Sequence, residues 1–195
     1  MKEVKTGNHS LYIEGVEVRP KMKGGKRVSN EVYAEILDET IIVCVDVLII
    51  NRNRETVYLL KRVAKPMQGL WCLGGRRVKG ETPVEGMCRK FKLETGLDIS
   101  PDRFIFVSIE EYVWQDREQE SQDHGSHNIA HQFVVELTDE ELAAVTKGLE
   151  RKEFDSEFGL QEFDRSRLLR EGTHPMIRKI FNQIFPQSLP HNNHR

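Results

Sequence analysis

The sequence predicts a single α/β domain in which a mixed sheet lies between helices. Three observations carry this. Runs rich in Val, Ile and aromatic residues, at 41–51, 57–62, 104–114 and 129–137, have strand character. Between the second and third of them sits one helix with both ends written into the sequence, opened by Thr82-Pro83-Val84-Glu85 and closed by Gly96. Helical patterns then close the chain, at 139–149 and 166–185. That order of strands and helices is the order of a layered mixed fold.

Size and charge agree with one soluble domain. The 195 residues suffice for a full core, and 38% apolar with 31% charged residues is ordinary globular composition. A net charge of −2 supplies no global field for nucleic acid or an anionic membrane. No apolar run approaches the length of a membrane span, and the N-terminus MKEVKTGNHS lacks the apolar stretch of a signal peptide. Cys44, Cys72 and Cys88 form an odd set without CxxC spacing, each inside an apolar run, which reads as small core residues in a reducing compartment. The expectation is a cytoplasmic protein with neither nucleic acid nor membrane as partner.

Residues 1–29 read as an N-terminal extension. Leu11, Ile13, Val16 and Val18 alternate around Glu14-Gly15 as in a short hairpin, and Arg19–Arg27 is a basic run broken by glycines, either a solvated loop or an arm that touches phosphate. The main domain is expected over 30–185. Ser29 caps a short helix over 30–37; 41–51 and 57–62 form two strand arms joined by the turn at 51–55. Lys65–Gly69 is a loop, and Leu70–Leu73 a brief strand running into Gly74-Gly75. In the capped helix Val84, Met87, Cys88 and Phe91 make the apolar stripe, while Leu93 falls opposite Val84. After the strand at 104–114 comes a polar loop over 115–126, then the strand at 129–137, a helix begun by Thr138, a last strand near 158–163, and a helical pair interrupted near Gly172 and Pro175. Residues 186–195 are a polar tail.

Gly75, Glu81, Arg89, Phe91, Glu94, Gly96 and Leu97 stand in the register G-x5-E-x7-R-E-U-x-E-E-x-G-U, where U is apolar. This stretch resembles the Nudix box, with Lys90 and Leu93 at two positions where that family usually has glutamates. The resemblance implies a Nudix α/β/α sandwich and hydrolysis of a nucleoside diphosphate linked to another group. A magnesium ion (or manganese) would be held by the Gly74 carbonyl and by Glu94, and Gly75, Glu81, Arg89 and Gly96 would build the loop and helix. Replacing a glutamate by Lys90 changes the local charge by about +2 at neutral pH. Lys90 and Glu94, four residues apart, can pair on one helix face. Both facts argue against a cage of three carboxylates and leave one metal held loosely, or none.

The flanks Leu60-Lys61-Arg62, Pro66–Trp71, Gly74–Arg76 and Lys79–Thr82 are similar to the GDP-mannose mannosyl hydrolase branch, which lacks the same two glutamates and keeps the last. That likeness spans about 42–97 and implies a homodimer that cleaves a sugar C–O bond of a nucleoside diphosphate sugar. It carries over Arg62 and Arg76 as leaving-group arginines and Asp46 as an acid on the sugar side. Asp46 draws notice without it, because a carboxylate inside an apolar strand is costly unless paired. Where the branch has a histidine base, this chain aligns Glu157; His131, opening a strand, is the second candidate. Trp71 either covers a base or sugar or packs in the core. Three readings stay open: a glycosyl hydrolase of nucleotide sugars, a Nudix enzyme attacking phosphorus, and a nucleotide-binding sensor in which Lys90 replaces the metal.

Overall fold

The computed structural model describes residues 28–187, together with the backbone of two short strands, β1 (Lys2–Thr6) and β2 (His9–Ile13), which pair antiparallel. The expected hairpin about Glu14-Gly15 shares residues 11–13 with β2, but the described partner of β2 precedes it. Residues 14–27, with the basic run, and the tail beyond 187 lie outside the described residues.

The core grows from β3 (Ile42–Asn51), whose Val/Ile-rich run is almost wholly buried. Such a run suits a strand covered on both faces. It lies parallel to β8 (Ser126–Glu136), from Ile42 beside Asn128 to Ile50 beside Glu136. On its other side it is antiparallel to β4 (Thr56–Arg62) and β6 (Leu73–Arg76). β5 (Gly69–Trp71) and β9 (Gln161–Phe163) pair with β4, and β7 (Ile105–Trp114) pairs with β8. The sheet is therefore mixed, as expected. The single brief strand expected at 70–73 is divided at Cys72: Trp71 pairs with Leu60 of β4, and Leu73 with Val47 of β3.

Period-2 alternation sends successive β3 side chains to opposite layers. Val45, Val47 and Ile49 meet Met87 and Phe91 of α2 (Pro83–Thr95) and Val145 of α3 (Asp139–Gly148). Leu48 and Ile50 meet Leu168 of α4 (Arg165–Arg170) and Ile177, Ile180 and Phe181 of α5 (Pro175–Ile184). This is the expected α/β/α sandwich, with α1 (Asn30–Glu39) capped by Ser29 as anticipated. Val84 and Cys88 complete the α2 stripe from its margin, while Leu93, off the stripe, is exposed. The closing helices separate where Gly172 takes φ 61°. Among the described residues no helix is long and apolar enough to cross a membrane.

Candidate active site

The register of three strands builds the floor of a cleft. β3 opposes Asp46 to Gly74 and Cys44 to Arg76, and β8 sets Gln132 beside Asp46 and Ala130 beside Cys44. Side chains opposite one another in a register share a face, so Cys44, Asp46, Arg76 and Ala130 all line one cavity of about 990 Å³. The absence of a side chain at Gly74 is required there: a Cβ would strike Asp46 Oδ1 and the Val45 carbonyl.

Arg89 and Glu81 brace the loop entering α2. Arg89 donates Nε to Glu81 Oε1 at 2.5 Å and Nη2 to Glu81 Oε2 at 3.0 Å, and Nη2 also reaches the Arg76 carbonyl at 3.0 Å. Glu81 Oε2 accepts the Val78 N–H at 2.8 Å. Thr82 and Glu85 form a reciprocal capping box, Pro83 starts the helix, and Gly96 ends it at φ 76°.

Eight lysines and arginines line the cleft against four acids. Arg62, Lys65, Arg89, Lys90 and Arg117 are ion-paired, and Arg76, Arg77 and Lys79 stand outside those pairs on the same wall, where an anionic group could meet them. Arg76 stacks its guanidinium 4.4 Å from the centre of the Tyr33 ring of α1 and has no carboxylate partner among the described residues. Arg62 donates to the Lys65 carbonyl at 3.2 Å and pairs with Glu153 at 3.4 Å. Aromatic rings line the same cleft. Trp71 and Tyr112 meet edge to face at 5.8 Å, and Tyr112 stacks on Trp114 at 5.1 Å. Trp71 is buried among aromatic rings and also lines the cleft.

Asp46 is 6% exposed, with Oδ2 accepting Gln132 Nε2 at 3.0 Å. Burial pushes its carboxyl up to about 6, against the Gln132 hydrogen bond and the charges of Arg62 and Lys90. It is a titratable acid held at the floor of a cationic cleft.

Glu94 is brought to the same place but differently engaged. It is fully buried; Oε2 accepts the Gly74 N–H at 3.0 Å, and Oε1 lies 2.7 Å from Lys90 Nζ. Burial raises its carboxyl above the usual range, while Lys90 and the Gly74 N–H act in the opposite sense. Nudix hydrolases generally use divalent metals. The donor set here does not fit one. The carboxylate meant for the metal is taken by an ammonium and an amide, Glu81 is taken by Arg89, and no group of three metal-ligating side chains occurs among the described residues.

Two candidate bases lie elsewhere. His131 has the opposite strand parity to Ala130 and Gln132, so it faces away from the cleft, with its ring 6.3 Å from Phe106. Glu157 is exposed beyond the cleft on the turn that Asp155 caps through the Glu157 and Phe158 N–H groups. In the same segment it is Glu153 that lines the cavity, because Phe154 bridges Arg62 and the Val63 N–H bonds the Glu153 carbonyl at 2.9 Å. Sequence reasoning missed Gln132 and Arg117. Gln132 carried one available signal, a polar residue inside an apolar strand run; Arg117, in a polar loop, carried none.

No curated relative matches the chain by sequence. A MutT NUDIX hydrolase from Burkholderia pseudomallei superposes with TM-score 0.53 and 18% identity, over 74% of this chain and 98% of that one. A MutT protein from Methanosarcina mazei Go1 gives 0.49 and 17%, over 75% and 95%. A bifunctional NMN adenylyltransferase/ADP ribose pyrophosphatase from Francisella tularensis, complexed with AMP and a Mn ion, gives 0.49 and 14%, over 79% of this chain but 45% of that one. At 18% identity the likeness to the Burkholderia pseudomallei protein is one of fold. The family model for the NUDIX domain matches residues 41–180, most of the chain and all of the cleft-building strands, so the chain belongs to the NUDIX domain family, that of the Nudix hydrolases.

Proposed function

We propose that the protein hydrolyses a nucleoside diphosphate sugar or a related nucleoside diphosphate derivative, and that glycosyl C–O cleavage is its reaction. The observation that carries this is that a buried carboxylate, Asp46, shares one cleft with a cluster of cations and with aromatic rings. The rings suit a base. The Arg62 and Arg76 guanidiniums suit a diphosphate, which they can bind with paired N–H donors. Asp46 suits the water: ionised, it accepts a proton as the water oxygen attacks the anomeric carbon. The C–O bond breaks with its electron pair passing to the departing diphosphate, whose growing charge the arginines stabilise. Gln132 fixes the Asp46 carboxyl through Oδ2, leaving Oδ1 for that proton. Magnesium dependence and a homodimer, both implied by the mannosyl-hydrolase resemblance, are not needed for these steps.

The test is hydrolysis of a nucleotide-sugar panel in water enriched in oxygen-18, with magnesium present. Label in the released sugar is the expected result. Label in phosphate would move the reaction to phosphorus. Saturable nucleotide binding without product would make the protein a sensor and end the hydrolase reading.

A further inference from the structure

We propose that the Lys90 ammonium is the resident cation of this cleft, so that the protein engages its diphosphate ligand without a divalent metal. This rests on the nucleoside diphosphate reading above and names the device by which that site works.

Helix geometry supplies the first reason. Lys90 and Glu94 are four residues apart on α2, which lays the lysine along the helix face and sets Nζ 2.7 Å from Glu94 Oε1. The carboxylate is fully buried and cannot turn to solvent for another partner, while the lysine, its side chain 10% exposed, reaches the cleft wall. Its charge is felt at the floor, by both Asp46 and Cys44.

The loop supplies the second reason. A Cβ at Gly75 would lie 2.9 Å from Lys90 Cε and 3.2 Å from Nζ. The lysine arm therefore lies close against the loop at Gly75, whose φ of 147° itself favours glycine. A dication added beside Glu94 would meet an ammonium already seated on that carboxylate, and like charges at such range repel. Several of the other acids near the cleft are already engaged. Glu81 is held by Arg89, Glu153 by Arg62, and Asp46 by Gln132.

The experiment is a binding measurement on the full chain. Manganese is titrated by electron paramagnetic resonance, and GDP, ADP and UDP by calorimetry, with and without chelator. Wild-type protein is expected to bind no manganese at micromolar concentration and to bind a nucleoside diphosphate with the same Kd in chelator. Lys90→Glu is expected to gain manganese binding at least tenfold and to bind nucleotide only when the metal is present. Lys90→Met is expected to weaken nucleotide binding at least tenfold without gaining metal. Micromolar manganese binding by the wild type, or loss of nucleotide binding in chelator, overturns the proposal. If Lys90→Glu fails to fold by circular dichroism, those two wild-type measurements decide alone. Absence of turnover on every nucleotide sugar overturns the hydrolase reading, while the chelator measurement still decides this one.

Discussion

Gln132 and Asp46 meet inside the sheet, Nε2 to Oδ2 at 3.0 Å, and the same nitrogen also reaches the Tyr112 hydroxyl at 3.0 Å. The contact ties the buried acid to the aromatic wall, so the position of the carboxylate and the shape of the cleft depend on one amide.

A pH dependence follows from it. The folded-state pKa of Asp46, about 6, lies above its unfolded value of 3.8, so the folded protein holds this proton more tightly. The stability it contributes is complete below about pH 4 and lost as pH rises through about 6, a difference of about 3 kcal/mol. Asp46→Asn carries no such proton. Denaturant titrations at several pH values should show the wild type losing ground to the variant by about that amount between pH 4 and 7. In the same series kcat/KM of the wild type should rise to a plateau above about pH 6, and Asp46→Asn should fall at least a hundredfold and lose that limb. A retained limb would move the base elsewhere.

The Lys90–Glu94 pair makes a second claim on stability. Removing either partner leaves a charge in a place built for two, at a cost of about 3 kcal/mol. Lys90→Met should be the worse single change, because Glu94 is fully buried and keeps only the Gly74 N–H. The double variant Lys90→Met/Glu94→Gln should recover to within about 1 kcal/mol of the wild type, a coupling read from a double-mutant cycle. Additive losses would show that the two charges do not depend on each other.

Arg89 works on the loop rather than the core. Its three donors hold Glu81 and the Arg76 carbonyl together. Arg89→Ala should therefore raise KM about tenfold or more by loosening the loop that presents Arg76. Arg89→Lys should rescue little, since an ammonium cannot span both Glu81 oxygens and the carbonyl as a planar fork does. Steady-state kinetics with thermal melts separates this from unfolding: the KM effect should exceed what the change in Tm explains.

What the sequence disclosed follows from how local each signal is. The limits of α2 were legible because the Thr82–Glu85 cap, Pro83 and the αL residue Gly96 act within a turn of the helix they bound. Asp46 was legible as an acid in an apolar run. The Lys90–Glu94 contact was legible from spacing, but its burial was not, because Gly74 and Gly75 of β6 close over it. His131 was considered and Gln132 passed over for one reason: which parity of β8 faces the cleft depends on parallel pairing with β3, set by residues some eighty positions away. Glu153 rather than Glu157 reaches the cavity for the same reason, a bridge between Phe154 and Arg62 that no local pattern announces.

Arg117 is the extreme case, and it carries the last prediction. It sits in the polar segment between β7 and β8, yet its side chain is 1% exposed. Its partner Asp38, on α1, is 79 residues away, with Nη1 at 2.6 Å from Oδ1 and Nη2 at 3.3 Å from Oδ2. The same guanidinium donates to the Gln119 and Glu120 carbonyls at 3.2 and 3.0 Å. It thereby holds the loop that Lys65 also grips, through Glu118 at 2.6 Å and Gln122 at 2.9 Å. Arg117→Met should leave two carbonyls without their donor and Asp38 with only its His124 contact, lower Tm by about 6 °C or more, and open the 115–125 segment to protease. Asp38→Asn should do less, because both carbonyl contacts survive and an amide oxygen can still accept from Nη1. If the Asp38 change proves the more damaging of the two, the loop is held from α1 rather than by its own carbonyls, and the organising role passes from Arg117 to the helix.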